Sequence, residues 1–218
     1  IGNANRKSVS LVKDQACRLQ RERTQTGKTI FPCPKMAKTV LAFLPEGFEE
    51  IEFVTPVDIW RRAGFEVTVA ALSAQMAVTG RSNMTLMADV DLDSVAARDF
   101  DCVFCPGGPG TKLLREDSRV IEIVKRHAAA SKKIAAICAA PTVLKVAGVL
   151  PEKYTAHFSV ATDLPEIAPL SSVVSGHFIT SQGAGTSVDF GLKVVTELVG
   201  KDKADEVSKA ICFGAPLA

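Results

Sequence analysis

Polar aromatic side chains are scarce in this chain, which has a single Trp, a single Tyr and three His among 218 residues. No apolar run approaches the roughly 20 residues that a membrane-spanning helix requires, so a membrane protein is not expected. There is no Gly-x-Gly-x-x-Gly dinucleotide fingerprint and no phosphate-cradling loop ending in Lys-Ser/Thr. Cys102 and Cys105 are separated by two residues, but no second such pair and no nearby His accompany them, which argues against a zinc site. Six cysteines could suggest a disulfide framework. A chain this long, with 47% hydrophobic residues, does not need one, so reduced thiols in a cytosol-like compartment are expected.

The formal net charge of +2 conceals an asymmetry. Residues 1–35 hold eight Lys/Arg against two acidic residues, and the rest of the chain holds 18 basic against 22 acidic residues. The basic excess therefore belongs to the first segment, and the body carries no nucleic-acid footprint. Residues 1–36 read as a basic N-terminal extension, flexible or a transit or leader segment, with 37–218 as a single domain. Arg-rich and acid-poor, the extension fits an organelle transit peptide, a leader remnant or an artefact equally. The expected location is the cytoplasm, or a mitochondrion or plastid if the extension is a transit peptide.

From Lys38 onward, strand-like and helix-like segments alternate. "TVLAFL", "FEVTVAAL", "DCVFC" and "KIAAIC" read as strands, and 77–90 as two short strands around a Gly-Arg-Ser-Asn turn. "EEIEFVTPVDIWRRAG" places Ile51, Val54, Ile59 and Trp60 at helical spacings, with Pro56 expected at a helix start or a kink. "DSRVIEIVKRHAAASK", "APTVLKVAG", "GTSVDFGLKVVTELVG" and "KADEVSKAICF" read as helices. His127 would be a surface charge closing the first of these. His157 in "YTAHFSV" and His177 in "VVSGHFITSQ" fall in strand-like segments, and either could be structural. The alternation implies an α/β fold with a doubly wound, mostly parallel sheet and helices on both faces.

In such folds the site lies beyond the carboxyl ends of the strands. "FLPEGFEEIE", "FCPGGPG" and "AAICAAP" converge there. Cys138 sits where a strand meets a helix, so unpaired N–H groups and the positive helix end are expected to lower its pKa and make it a nucleophile. The Ala139 N–H would face a developing oxyanion. The alternative is a small hydrophobe ending a core strand, and spacing leaves both open. Gly107 and Gly108 could admit a ligand close to the backbone, or simply make a turn. Glu49, Glu50 and Glu52 would be solvated helix surface unless one lies buried beside a thiol, where it could shuttle protons.

Taken together, "PEGFEEIEFVTPVDIWRRAG", "CPGGPG", "AAICAAP" and "TSQGAGTSVDFGL" resemble the ThiJ/PfpI superfamily, in the branch of the parkinsonism-associated protein deglycase and ThiJ-like proteins. The resemblance implies a flavodoxin-like homodimer with Cys138 as reactive cysteine, Glu52 as its buried partner and His157 nearby. It further implies oxyanion-hole amides at Gly108 and Ala139, and substrate or anion contacts at Gly107, Arg62 and Arg81, the two arginines near the pocket or the dimer interface. The implied activity is a cofactor-independent glyoxalase or protein deglycase acting on methylglyoxal, glyoxal or glycated protein, with no metal. A cysteine-based oxidative-stress sensor or redox-regulated chaperone is the alternative. Ala139 stands where the protease branch carries a His, so a peptidase triad is incomplete. No insert matching the two-domain chaperone branch is present.

Overall fold

The computed structural model describes residues 37–214, and the basic extension lies outside them. Five parallel strands form the centre of the sheet: β1 (Thr39–Leu44), β2 (Glu66–Ala71), β6 (Cys102–Cys105), β7 (Lys133–Ile137) and β9 (Phe178–Ser181). β5 (Val90–Asp91) extends one edge in parallel, and β8 (Ser172–Ser175) closes the other edge antiparallel to β9. The order is β5-β2-β1-β6-β7-β9-β8. β3 (Ala77–Thr79) and β4 (Thr85–Met87) form a separate hairpin.

Side chains alternate across the sheet with period two, and both faces are buried. Val40, Ala42, Leu44, Phe104, Ala135 and Ile137 point into one core, whereas Leu41, Phe43, Val103, Cys105, Ile134 and Ala136 point into the other. The first core is covered by α1 (Glu50–Arg62), α5 (Ser187–Val199) and α6 (Lys201–Ala210). The second lies under α2 (Thr111–Glu116), α3 (Ser118–Ala129) and α4 (Pro141–Val146). Trp60 packs edge-on against Phe104 at 5.0 Å and donates its indole N–H to the Gly191 carbonyl at 3.0 Å. Gly191 lets α1 and α5 approach closely, since a Cβ there would lie 3.3 Å from Pro56 Cα.

Several local expectations are corrected. α1 starts six residues before Pro56 and runs through it, because Glu49 caps the helix and Pro56 is buried on its core side. Ile51 and Val54 are exposed, and Phe53 and Val57 take the core positions with Ile59 and Trp60. "YTAHFSV" is not a strand: Thr155 docks by its N–H to Thr180 Oγ1 and by its hydroxyl to the Ala168 and Leu170 carbonyls, each at 2.8–2.9 Å. Its end is a 3-10 turn, Phe158–Val160. "VVSGHFITSQ" splits into the β8–β9 hairpin, with His177 in the turn. Among the described residues no helix is long and apolar enough to cross a membrane.

His127 is not a surface charge either. It is 1% exposed, with Nε2 accepting from the Phe100 N–H at 3.2 Å and Nδ1 bonded to the Ile123 carbonyl at 2.8 Å. Burial holds its pKa below the ordinary value. The unfolded chain thus binds a proton near pH 6.5 that the folded chain refuses, and stability falls as pH drops through that value. In urea melts the His127 contribution is read as the difference between wild type and His127→Ala. The variant should lose about 1–3 kcal/mol at pH 8, from the orphaned Phe100 N–H, and the difference should shrink by pH 5.5.

Candidate active site

The sheet order reverses at β1, which pairs with β2 on one side and β6 on the other. Such a switch opens a crevice at the carboxyl ends of the strands. The segments after β1, β6 and β7 carry Glu52, Gly107–Gly108 and Cys138 into it. Glu52 lies in the first turn of α1, its N–H held by the Glu49 carboxylate at 2.7 Å. Glu49 is tied in turn to the β6 loop, donating its N–H to the Gly107 carbonyl at 3.1 Å.

Cys138 follows β7 with φ of +64°, a left-handed conformation that costs a non-glycine residue roughly 1–2 kcal/mol. Two bonds fix the corner: Cys138 donates its N–H to the Ser181 carbonyl and accepts from the His157 N–H, both at 2.9 Å. This holds the thiol at a strained strand-to-helix elbow, where the side chain also packs against the first core. A Cβ on Gly107 would collide with the Glu52 carboxyl and the Cys138 side chain. Gly107 is therefore required for the two to meet. Gly108 has φ of +91°, and a Cβ on it would meet the Gly47 carbonyl at 2.6 Å.

Glu52 is 2% exposed, and its Oε2 has no conventional hydrogen-bond partner; the thiol is its polar neighbour. Burial raises its pKa to about 7, opposed by a hydrogen bond with Cys138 and reinforced by the charge of Glu49. The Cys138 thiol does not have the depressed pKa expected from its position. Burial, then the charge of ionised Glu52 and their hydrogen bond, push it up to about 12, against the N–H groups of Gly108 and Ala139, which donate to the sulfur. Two adjacent buried acids cannot both ionise cheaply, so between these values the pair holds one proton. Placed on Glu52, that proton removes the carboxylate charge and leaves the sulfur facing two N–H donors.

His157 lies at the rim of this pair. Its Nδ1 accepts from the Ser159 N–H at 3.2 Å and lies 2.8 Å from the Ser159 hydroxyl, which leaves the proton on Nε2. Arg81 bonds through its backbone N–H to the Phe48 carbonyl, and its charge reaches Glu52. Within one chain the structure does not bring Arg62 to the pair. It ends α1, ten residues or about 15 Å along the helix from Glu52, where it pairs with Asp58 at 2.7 Å.

Sequence reasoning missed the contributions of Ser181, Ser159 and Ala184, whose backbone N–H supports the Glu52 carboxyl. The glycines of "SQGAGTS" were the available signal, since a Cβ on Gly183 would sit within 3.5 Å of both Glu52 and His157. Cys102 and Cys105 are buried free thiols with strongly raised pKa values, inert as core. Among the described residues, no group of three or more His, Cys, Asp or Glu is placed to hold a metal ion.

Known proteins resemble this chain in sequence and fold. The Drosophila melanogaster protein dj-1beta is 39% identical over 182 residues, spanning 81% of this chain and 97% of that protein. The Caenorhabditis elegans glutathione-independent glyoxalase DJR-1.2 is 35% identical over 181 residues, spanning 81% and 97%. The crystal structure of Drosophila DJ-1beta superposes with a TM-score of 0.79 at 38% identity, covering 81% of this chain and 98% of that one. The DJ-1/PfpI family pattern matches residues 38–197, from the start of β1 to nearly the end of α5. With the flavodoxin-like sheet and the strained cysteine elbow, this chain belongs to the DJ-1/PfpI family.

Proposed function

We propose that this protein is a cofactor-independent glyoxalase that converts small 2-oxoaldehydes such as methylglyoxal and glyoxal to 2-hydroxy acids. The same chemistry extends to the early adducts these compounds form on proteins. The Glu52–Cys138 pair carries this reading, because a nucleophile and a proton shuttle sharing one proton are what the reaction needs. The glutathione-independent glyoxalase among its relatives supports it.

The reaction starts with the proton on Glu52. The Cys138 sulfur attacks the aldehyde carbon, the carbonyl electron pair moves to oxygen, and Glu52 protonates that oxygen to give a hemithioacetal. The Gly108 and Ala139 N–H groups face the developing oxyanion, a contact worth about 3–4 kcal/mol. Glu52, now a carboxylate, removes the hydrogen from the former aldehyde carbon. The resulting enediol takes that proton back at the neighbouring carbon and becomes a thioester. His157 gives its Nε2 proton to the second carbonyl oxygen as the enediol forms, and recovers one from the hydroxyl of the sulfur-bearing carbon as the thioester carbonyl forms. Water cleaves the thioester, releasing lactate from methylglyoxal or glycolate from glyoxal and restoring the thiol. The sum is dicarbonyl plus water to hydroxy acid, with no net oxidation.

We also propose a homodimer. Ile51 and Val54 on α1 and Met84 and Met87 on the β3–β4 hairpin expose 45–68% of their surface, and Val54 and Met87 line a common groove. Apolar side chains concentrated in this way suit a second copy of the chain.

Incubated with methylglyoxal without glutathione, the wild type should form lactate, and Cys138→Ser should fall to the buffer rate; equal rates would end this reading. Because the pair must lose its first proton, kcat/KM should rise through pH about 7. Glu52→Gln should lower kcat at least ~100-fold. A folded-state pKa raised from 4.5 to about 7 costs stability as pH climbs through that window, so the same variant should gain up to about 3 kcal/mol at pH 8. Sedimentation should give a dimer for the wild type and a monomer for Val54→Glu combined with Met87→Glu.

A further inference from the structure

Beside the reactive pair runs a groove of about 680 Å³ that the reaction on methylglyoxal does not use. Its walls come from Ala156–Phe158, Ala161, the apolar residues of the 164–169 stretch and the Gln182–Thr186 segment. The floor is a small core of its own, Tyr154, Ala156 and Leu164, separate from the two cores of the sheet. The only charged side chain within these stretches is Glu166, and it is not among the lining residues.

Two walls are shared with the catalytic pair. His157, whose N–H bonds the Cys138 carbonyl, lines the groove, and so does Gly183, where a Cβ would lie within 3.5 Å of both the Glu52 carboxyl and the His157 ring. On the opposite side, Gly107 leaves no room even for a methyl group between the loop and the Cys138–Glu52 contact. A substituent on the carbon attached to sulfur is therefore directed toward His157 and Gly183. Phe158 stands on that rim, 80% exposed, its ring tilted by 34° against that of His157 with centroids 4.1 Å apart. The volume is in the range of sites that enclose a drug-sized ligand, and its uncharged, largely apolar lining favours uncharged apolar groups.

Resting on the glyoxalase reading and extending it, we propose that this groove is a substituent subsite. It selects 2-oxoaldehydes bearing an aryl or long alkyl group, with Phe158 as a specificity-determining residue. For phenylglyoxal, the chemistry adds one water and yields mandelate, the aryl ring resting against Phe158 and Leu164 while the aldehyde carbon is bound to Cys138.

The test compares kcat/KM for phenylglyoxal and methylglyoxal. In the wild type the ratio should favour phenylglyoxal. Ala161→Trp, which fills the groove from an exposed position, should lower the phenylglyoxal value at least ~10-fold more than the methylglyoxal value. Phe158→Ala should lower the ratio roughly fivefold. Equal losses on both substrates, or an unchanged ratio, would overturn the subsite. A binding measurement separates this from failure of the glyoxalase reading itself. Acetophenone, which lacks the aldehyde, should shift the amide resonances of Gly183, Ala184 and Gly185 in folded Cys138→Ser protein. If those shifts are absent the groove proposal falls, whatever the turnover. If the shifts appear but the wild type turns over neither aldehyde, the glyoxalase reading falls and the groove remains an aryl-binding site.

Discussion

A carboxyl and a thiol buried against each other can release the first of their protons far more easily than the second. That constraint organises the site. Glu52 is nearly inaccessible to water, and its Oε2 has no conventional partner, so ionisation leaves a charge relieved by the thiol, the Ala184 N–H and distant Arg81. Cys138 has two N–H donors for its sulfur, but they are outweighed while Glu52 carries the charge. The balance between these two placements of one proton makes the pair both a nucleophile and a shuttle.

The surrounding structure keeps that contact short. The left-handed corner at Cys138 is unfavourable in isolation and persists because β9 and the His157 segment bond both its N–H and its carbonyl. Glycine at 107 removes the one atom that would separate the two groups. Glu49 serves two purposes, capping α1 and anchoring the α1 end to the β6 loop. The parallel sheet brings these three loops to one end, and the reversal at β1 leaves space between them.

Much of this was legible in the sequence because it rests on local periodicity. The alternation of apolar runs with helical stretches predicts the doubly wound sheet, and the strand-to-helix corner at Cys138 follows from "KIAAICAAP". Features that depend on neighbours were misread. Pro56 was expected to begin or bend a helix, yet its buried contact against α5 holds it in the middle of one. His127 lost its expected surface role because the Phe100 N–H needs an acceptor in the core. Arg62, placed by resemblance near the pocket or the dimer interface, lies within one chain at the far end of the helix that carries Glu52.

By itself the sequence determined which elements form, their order, and the residue types available at three strand ends, since these follow from side-chain spacing and turn chemistry. Only the tertiary structure decided the proton affinity of the thiol. Its position at a helix start argues for an acidic thiol, but burial and a facing carboxylate outweigh that while Glu52 is ionised. Those terms depend on distances between segments some 85 residues apart in the chain, which no local pattern encodes.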